Sequence, residues 1–354
     1  MRLSLVISLV LLSGSIAVAQ QPSTTLSYDK MLSTYEYPFP VRRYAFVSQG
    51  RALETAYMYL PSRGDRPTVL LLHGKNFNGA YWEETAKSLH DRGYGVLIPD
   101  QIGFGKSSKP RDYQYSFAAL AQNTKGLIES LRLKRVIVVG HSMGGMLAAR
   151  FALLYPEMTT RLVMVNPIGL ENYLQYVQYK DTDFFYRNGL NSSAESIRGY
   201  QQKNYYDGAW NDRYDALTHP LIGWAQGPDR DDMAYISARC YDMIFTQPVI
   251  EELKDLSVPV VLILGTRDRT APGRNWMKKG VTYELGRYDR LGNAVKARNP
   301  AIEVVELDGL GHLPQIEDFK RFQEVFLNNL SPEQPASQYP ANSGRVSDCP
   351  AAHR

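Results

Sequence analysis

Ser142 stands in the run "GHSMGG", residues 140–145, a G-x-S-x-G pattern set between an apolar run and an alanine-rich one. A serine hydroxyl is a weak nucleophile by itself; it needs a base to take its proton and an acid to orient that base. The chain offers both further on, in the order serine, aspartate, histidine. Asp268 follows an apolar run in "LILGTRDRTAP", and His312 lies in the glycine-rich stretch of "VVELDGLGHLPQIE". The chemistry of such a set is acyl transfer through a serine ester. Few residues compete for these roles. His90 sits at a helix end, His219 precedes Pro220, and His353 is near the C-terminus, so none follows a core strand. His73 and His141 fall inside the loop motifs themselves and read as supports for those loops. For the acid, the preceding strand ends on Asn166 rather than a carboxylate, and Glu171 is the alternative to Asp268.

These residues need elements to hold them. "RVIVVG" reads as a strand and "MLAARFALLYP" as a helix, so the glycine-serine run is a tight strand-turn-helix joint. Side chains at its glycine positions would strike the neighbouring strand and helix. The serine then stands at a helix N-terminus, where the backbone N–H of Met143 faces a developing oxyanion. Elsewhere, "VRRYAFVSQ" and "LETAYMYL" form a leading hairpin about Gln49 and Gly50. The later strands "TVLLLHG", "GVLIPD", "RVIVVG", "RLVMVNP", "PVVLILG" and "IEVVEL" are continuously apolar, the pattern of a parallel sheet covered on both faces. Helices are predicted over 81–90, over 117–131 with Ser116 as cap, over 146–155 stopped by Pro156, and over 317–329. The fold class is α/β, a mostly parallel eight-stranded sheet with helices on both faces.

The alternation fails once. Residues 171–250 read as short helices without an apolar strand, with Ser192 and Glu195 placed as a capping box and breaks at Gly189, Gly208 and Gly227. An inserted helical cap accounts for this. It leaves the sheet at the edge that carries Ser142, Asp268 and His312, so it is expected to roof the nucleophile. Its many aromatics, among them Tyr173, Phe185, Tyr205, Tyr206, Trp224 and Tyr241, mostly pack it onto the body, and some line a pocket.

The series "HGKNFNG", "PDQIGFGKSSKP", "GHSMGG", "GTRD" and "GLGHLPQIE" resembles the motifs of the α/β-hydrolase family, in order and over nearly the whole body from Tyr44 to Asn329. That resemblance implies a second oxyanion donor, the backbone N–H of Lys75, with Asn76 as fallback; the Lys75 side chain is expected to reach solvent. It gives Asp100, Gly103 and Gly105 the shaping of a loop. Family members that open epoxides or displace halides carry aspartate where Ser142 stands, so a carboxylic ester is favoured here. The alternatives are a serine-dependent hydrolase of a C–C bond, amide or lactone, a cofactor-free perhydrolase, and a non-catalytic ligand-binding protein of the same fold.

Composition sets the remaining bounds. The formal charge is +4, with basic residues interspersed among acidic ones, which argues against a nucleic-acid partner and for a small-molecule substrate. There is no phosphate-cradling loop, dinucleotide fingerprint or metal-ligand spacing, so the expected chemistry uses no cofactor and no metal. Residues 1–19, with Arg2 before an apolar stretch ending Ala17-Val18-Ala19, read as a secretory signal peptide. The mature chain is then periplasmic or secreted, without stable membrane insertion. The remaining layout is core over 20–170, cap over 171–250, core over 251–330 and a disordered Pro/Ser-rich tail over 331–354. Cys240 and Cys349 are read as two separate thiols.

Overall fold

The apolar runs become the centre of one eight-stranded sheet, ordered β1-β2-β4-β3-β5-β6-β7-β8. A computed structural model describes residues 26–330; the predicted signal peptide and tail, with Cys349 and His353, lie outside the described residues. The strands are β1 (Val41–Ser48), β2 (Arg51–Leu60), β3 (Thr68–Leu72), β4 (Gly95–Pro99), β5 (Val136–His141), β6 (Thr159–Val165), β7 (Val260–Gly265) and β8 (Glu303–Leu307). The β1–β2 and β2–β4 pairs are antiparallel, and from β4 to β8 every pair is parallel. Every residue of β3, β4, β5 and β7 is buried, whereas the edge strands β1 and β8 are partly exposed.

Alternation along each strand splits the core in two. Leu70, Leu72, Val136, Val138, Leu162 and Leu264 face one side, under helices α2 (Phe117–Ser130), α3 (Met143–Leu154) and α9 (Tyr288–Arg298). Val69, Leu71, Ile137, Val139, Val163 and Ile263 face the other, under α1 (Glu83–Asp91) and α11 (Phe319–Asn328), the latter preceded by the short α10 (Pro314–Glu317). Between β6 and β7 lie five helices: α4 (Tyr173–Tyr176), α5 (Thr182–Leu190), α6 (Ala194–Tyr205), α7 (Asp212–Gln226) and α8 (Arg230–Thr246). Parallel register brings the ends of β5 to β8 side by side, with His141 opposite Val165, Val165 opposite Ile263 and Gly265 opposite Leu307. The loops carrying Ser142, Asp268 and His312 therefore leave the sheet at one edge.

Residues 26–40 form a strap that ties the helical insertion to the body. Tyr28 N–H donates to Gly223 O at 3.0 Å, Trp224 Nε1–H to Asp29 O at 3.1 Å, and Lys30 Nζ to Asp232 at 2.8 Å. On the body side, Lys106 Nζ donates to Leu32 O at 2.6 Å and Tyr37 O–H to Asp100 Oδ2 at 2.6 Å.

Several sequence expectations need correction. α3 begins at Met143 rather than 146, because the elbow glycines already belong to its first turn. The last helical stretch breaks at Asp318, where a short turn of helix precedes α11. α9 was not anticipated. Gly189 is no break: it lies inside α5, where an added Cβ would stand 3.1 Å from Ala234 Cβ, so its lack of a side chain lets α5 approach α8. The capping box is shifted by one residue. Ser193 accepts from Ser196 N–H at 3.2 Å, and Ser193 N–H donates to Ser196 Oγ at 2.9 Å. That shift is measurable by thermal unfolding: Ser193→Ala should cost about 1 kcal/mol, whereas Ser192→Ala should change stability by no more than a few tenths. Equal losses would place the helix start elsewhere.

Candidate active site

The elbow is built from backbone crowding. Ser142, with φ 56° and ψ −122°, occupies the positive-φ half of conformational space that non-glycine residues avoid. Three bonds fix it there: its N–H donates to Val165 O at 3.1 Å, and its carbonyl accepts from Gly145 N–H at 2.9 Å and from Ile168 N–H at 3.3 Å. A Cβ at Gly140 would fall 2.0 Å from Gly144 O, and one at Gly144 would fall 2.3 Å from Leu72 O. Only glycine permits strand and helix to meet this closely.

The loops after β7 and β8 converge on that serine. His312 Nε2 lies 3.0 Å from Ser142 Oγ, and His312 Nδ1 lies 2.7 Å from Asp268 Oδ2. Asp268 is 1% exposed and His312 fully buried. The aspartate accepts two further bonds, from Asn166 Nδ2 at 2.9 Å and from Thr270 N–H at 2.7 Å. Burial pushes its pKa up, but the adjoining imidazole and these donors outweigh it, so the carboxyl titrates below its ordinary range. Glu171 lies elsewhere, accepting from Gly286 N–H at 3.0 Å, and burial raises its pKa.

The other two histidines hold loops in place. His141 is fully buried, and desolvation, aided by the neighbouring His312, drives its pKa well below the ordinary value. Neutral, it donates from Nε2 to His312 O at 2.8 Å and accepts at Nδ1 from Tyr81 O–H at 3.0 Å; Tyr81 in turn accepts from Gly74 N–H at 3.2 Å. One chain of hydrogen bonds thus joins the loop after β3, the elbow and the histidine loop. His73 accepts from Gln101 N–H at 3.0 Å, contacts Gly74 O at 2.9 Å, and has its pKa lowered by burial. Asp100 shapes its own loop, accepting from Gly79 N–H and Lys106 N–H, both at 2.7 Å.

Met143 follows Ser142 directly, and Lys75 lies on the loop after β3. Met143 opens α3, so its N–H has no partner within the helix. Lys75 follows Gly74, where an added Cβ would be 3.2 Å from Ser142 Cβ. Its side chain is half-buried rather than freely exposed: it turns toward α8, where Nζ donates to Ser237 Oγ at 2.7 Å. Asn76 Nδ2 donates to Tyr205 O–H at 2.9 Å, and the Tyr205 ring stacks on His312 with centroids 4.6 Å apart.

A cavity of about 700 Å³ lies between the helical insertion and the body, where Lys75, Asn76, Gly103 and Phe104 line it. Phe185, Tyr200, Trp224 and Tyr241 of the insertion line it, as do Arg274 and Trp276 from the long loop after β7. The sequence places Asp268 in that loop but does not foresee that its continuation lines the cavity. Its signal, "TAPGRNW", is a run of turn residues ending in a tryptophan. Ser142 and His312 are not among the lining residues, and Ser142 is 6% exposed.

The sequence matches the alpha/beta hydrolase fold family over residues 67–278. The chain belongs to that family. A probable hydrolytic enzyme from Pseudomonas aeruginosa, known from a crystal structure, is 45% identical and superposes with a TM-score of 0.84, covering 87% of this alpha/beta hydrolase and 99% of that chain. The putative carbamate hydrolase RutD of Pseudomonas syringae pv. syringae is 28% identical over 278 residues, 75% of this chain and 95% of that protein. An uncharacterized protein of Mycobacterium tuberculosis is 39% identical over 107 residues, 30% of this chain, and the match spans only 31% of that relative's length.

Sequence reading treated Glu317 only as the start of a helix, yet it braces the His312 loop. It accepts from Gly311 N–H at 2.8 Å and pairs with Arg267. Burial outweighs Arg267 and lifts its pKa from 4.5 to about 7. The folded protein therefore holds this proton more tightly than the unfolded chain. The carboxyl costs nothing below pH 4.5 and destabilises the fold progressively as pH rises through 7. Thermal unfolding of Glu317→Gln should lack that component of the decline between pH 4.5 and 7; a melting profile parallel to the wild type would contradict it.

Proposed function

We propose that this alpha/beta hydrolase is an exported serine esterase that cleaves a small or medium carboxylic ester, with apolar or aromatic parts, through an acyl-enzyme intermediate. The observation that carries the reading is the unbroken line from Ser142 Oγ to His312 Nε2 at 3.0 Å and from His312 Nδ1 to Asp268 Oδ2 at 2.7 Å. In this reading Ser142 Oγ attacks the ester carbonyl carbon while His312 Nε2 takes the hydroxyl proton. The carbonyl oxygen becomes an oxyanion facing the N–H groups of Met143 and Lys75. The intermediate collapses, the C–O bond to the alcohol breaks, and His312 returns its proton to the leaving oxygen. Water then repeats the sequence with His312 as base, releasing the acid and restoring the serine. Asp268, ionised and locked by Asn166 and Thr270, keeps the imidazole aligned and stabilises its cationic form. Every proton and electron pair is accounted for without a cofactor. Aromatic walls from Phe185, Tyr241 and Trp276 favour apolar groups on the substrate.

A fluorophosphonate probe should label Ser142, located by peptide mapping, and p-nitrophenyl esters of graded length should be turned over. Ser142→Ala and His312→Ala should each reduce kcat by roughly four to six orders of magnitude, and the double variant should lose little more, because the groups act as a unit. Losses that multiply would dissolve the assignment. An unlabelled serine in folded protein would favour a ligand-binding role.

A further inference from the structure

The cavity has an uneven charge. Among the described residues Lys75, Lys203, Arg230, Arg269 and Arg274 line it, and no Asp or Glu does, although the whole chain holds 40 basic and 36 acidic residues. Four of the five are either partnered or open to water. Arg269 lies 3.5 Å from Asp289 and donates to the carbonyls of Thr266 and Asp268. Arg274 is exposed and reaches Leu285 O, while Lys203 and Arg230 are exposed at the cavity's outer part. Lys75 is different. It stands on the cavity wall formed by the loop after β3, whose Gly74 packs against Ser142. Among the described residues its ammonium meets no carboxylate within ion-pair distance; it meets Ser237 Oγ, the face of Tyr241 with the ring centroid 4.6 Å away, and the buried Cys240 nearby. Burial lowers its pKa to about 8 and raises that of the Cys240 thiol to about 12, so the thiol supplies no counter-charge at neutral pH.

A half-buried ammonium at a cavity wall with only a hydroxyl and a ring for company is incompletely compensated, and an anion placed beside it relieves that cost. Ser237 accepts from Lys75 and so keeps its own O–H to give. We propose that the substrate carries a carboxylate in addition to its ester, and that Lys75, with Ser237, binds this carboxylate where the loop after β3 meets α8 at the cavity wall. The outer cations then favour entry of the anion. The proposal deepens the ester-hydrolase reading and rests on it for the reaction, but not for the binding site.

Two matched pairs test it. p-Nitrophenyl hydrogen adipate and p-nitrophenyl hexanoate have acyl chains of equal length and differ in the terminal carboxylate. After subtraction of spontaneous hydrolysis, the wild type should favour the adipate ester in kcat/KM. In Lys75→Met the adipate-to-hexanoate ratio should fall at least 30-fold, mainly through KM, and Lys75→Arg should restore part of it. Lys75→Gln gives the same comparison should the Met variant fail to fold. Calorimetry with hexanoate and hexanamide needs no turnover. Hexanoate should bind the wild type at least tenfold more tightly, and the difference should vanish without Lys75. A wild type that prefers neither anion, or a preference that survives in Lys75→Met and Lys75→Gln, overturns the proposal. Failure of both esters and of Ser142 labelling, with the hexanoate preference intact and dependent on Lys75, instead overturns the esterase reading and leaves the carboxylate site supported.

Discussion

The centre of this molecule is organised around a serine held in a backbone conformation that it does not favour. At φ 56° Ser142 sits where an L side chain crowds its own peptide, and such a residue persists only when its surroundings leave it no alternative. Here they do. The preceding strand is locked between β3 and β6, the following helix starts without an intervening residue, and Gly140 and Gly144 let those two elements touch backbone to backbone. The strained residue gains a fixed direction: its hydroxyl leaves the sheet edge and meets His312. A relaxed serine on a flexible loop would need to lose that freedom at each encounter with substrate.

The same economy governs the buried charge. Asp268 is fully enclosed, yet its two oxygens share three donors, which keep it ionised where an isolated carboxylate would take up a proton. His141, equally enclosed and one ring away from His312, is neutral and serves as a spacer with two directional ends. Two imidazoles with centroids 4.9 Å apart thus carry different duties because one has a carboxylate partner and the other has a phenol and a carbonyl.

Much of this could be read from the chain before any coordinates. Continuous apolar strands, the glycine-flanked serine, and an aspartate and histidine each just beyond a strand end are local patterns, and parallel register alone brings their loops together. What could not be read depends on distant partners. The direction of Lys75 is set by Ser237 and Tyr241, which lie more than 150 positions later on an inserted helix. Gly189 looks like a break until Ala234 is placed against it. α9 did carry a signal, with Tyr288, Leu291, Gly292 and Val295 buried at helical spacing, but its long turn-rich approach from β7 obscured it. The cap frame slipped by one because Ser192 and Ser193 are chemically alike, and only the backbone turn distinguishes them.

The strap of residues 26–40 bears on how the chain reaches this state. Its bonds to the insertion join positions 195 to 202 residues apart, among the most separated in the molecule. Closing a loop of that length loses chain entropy before any contact returns it. Such a contact cannot nucleate folding; it forms on a body and an insertion that already hold their shapes. Topology of this kind slows the final stage of assembly, and it leaves α7 and α8 with an uncovered apolar edge, around Trp224 and Met233, until Leu32 arrives to fill it.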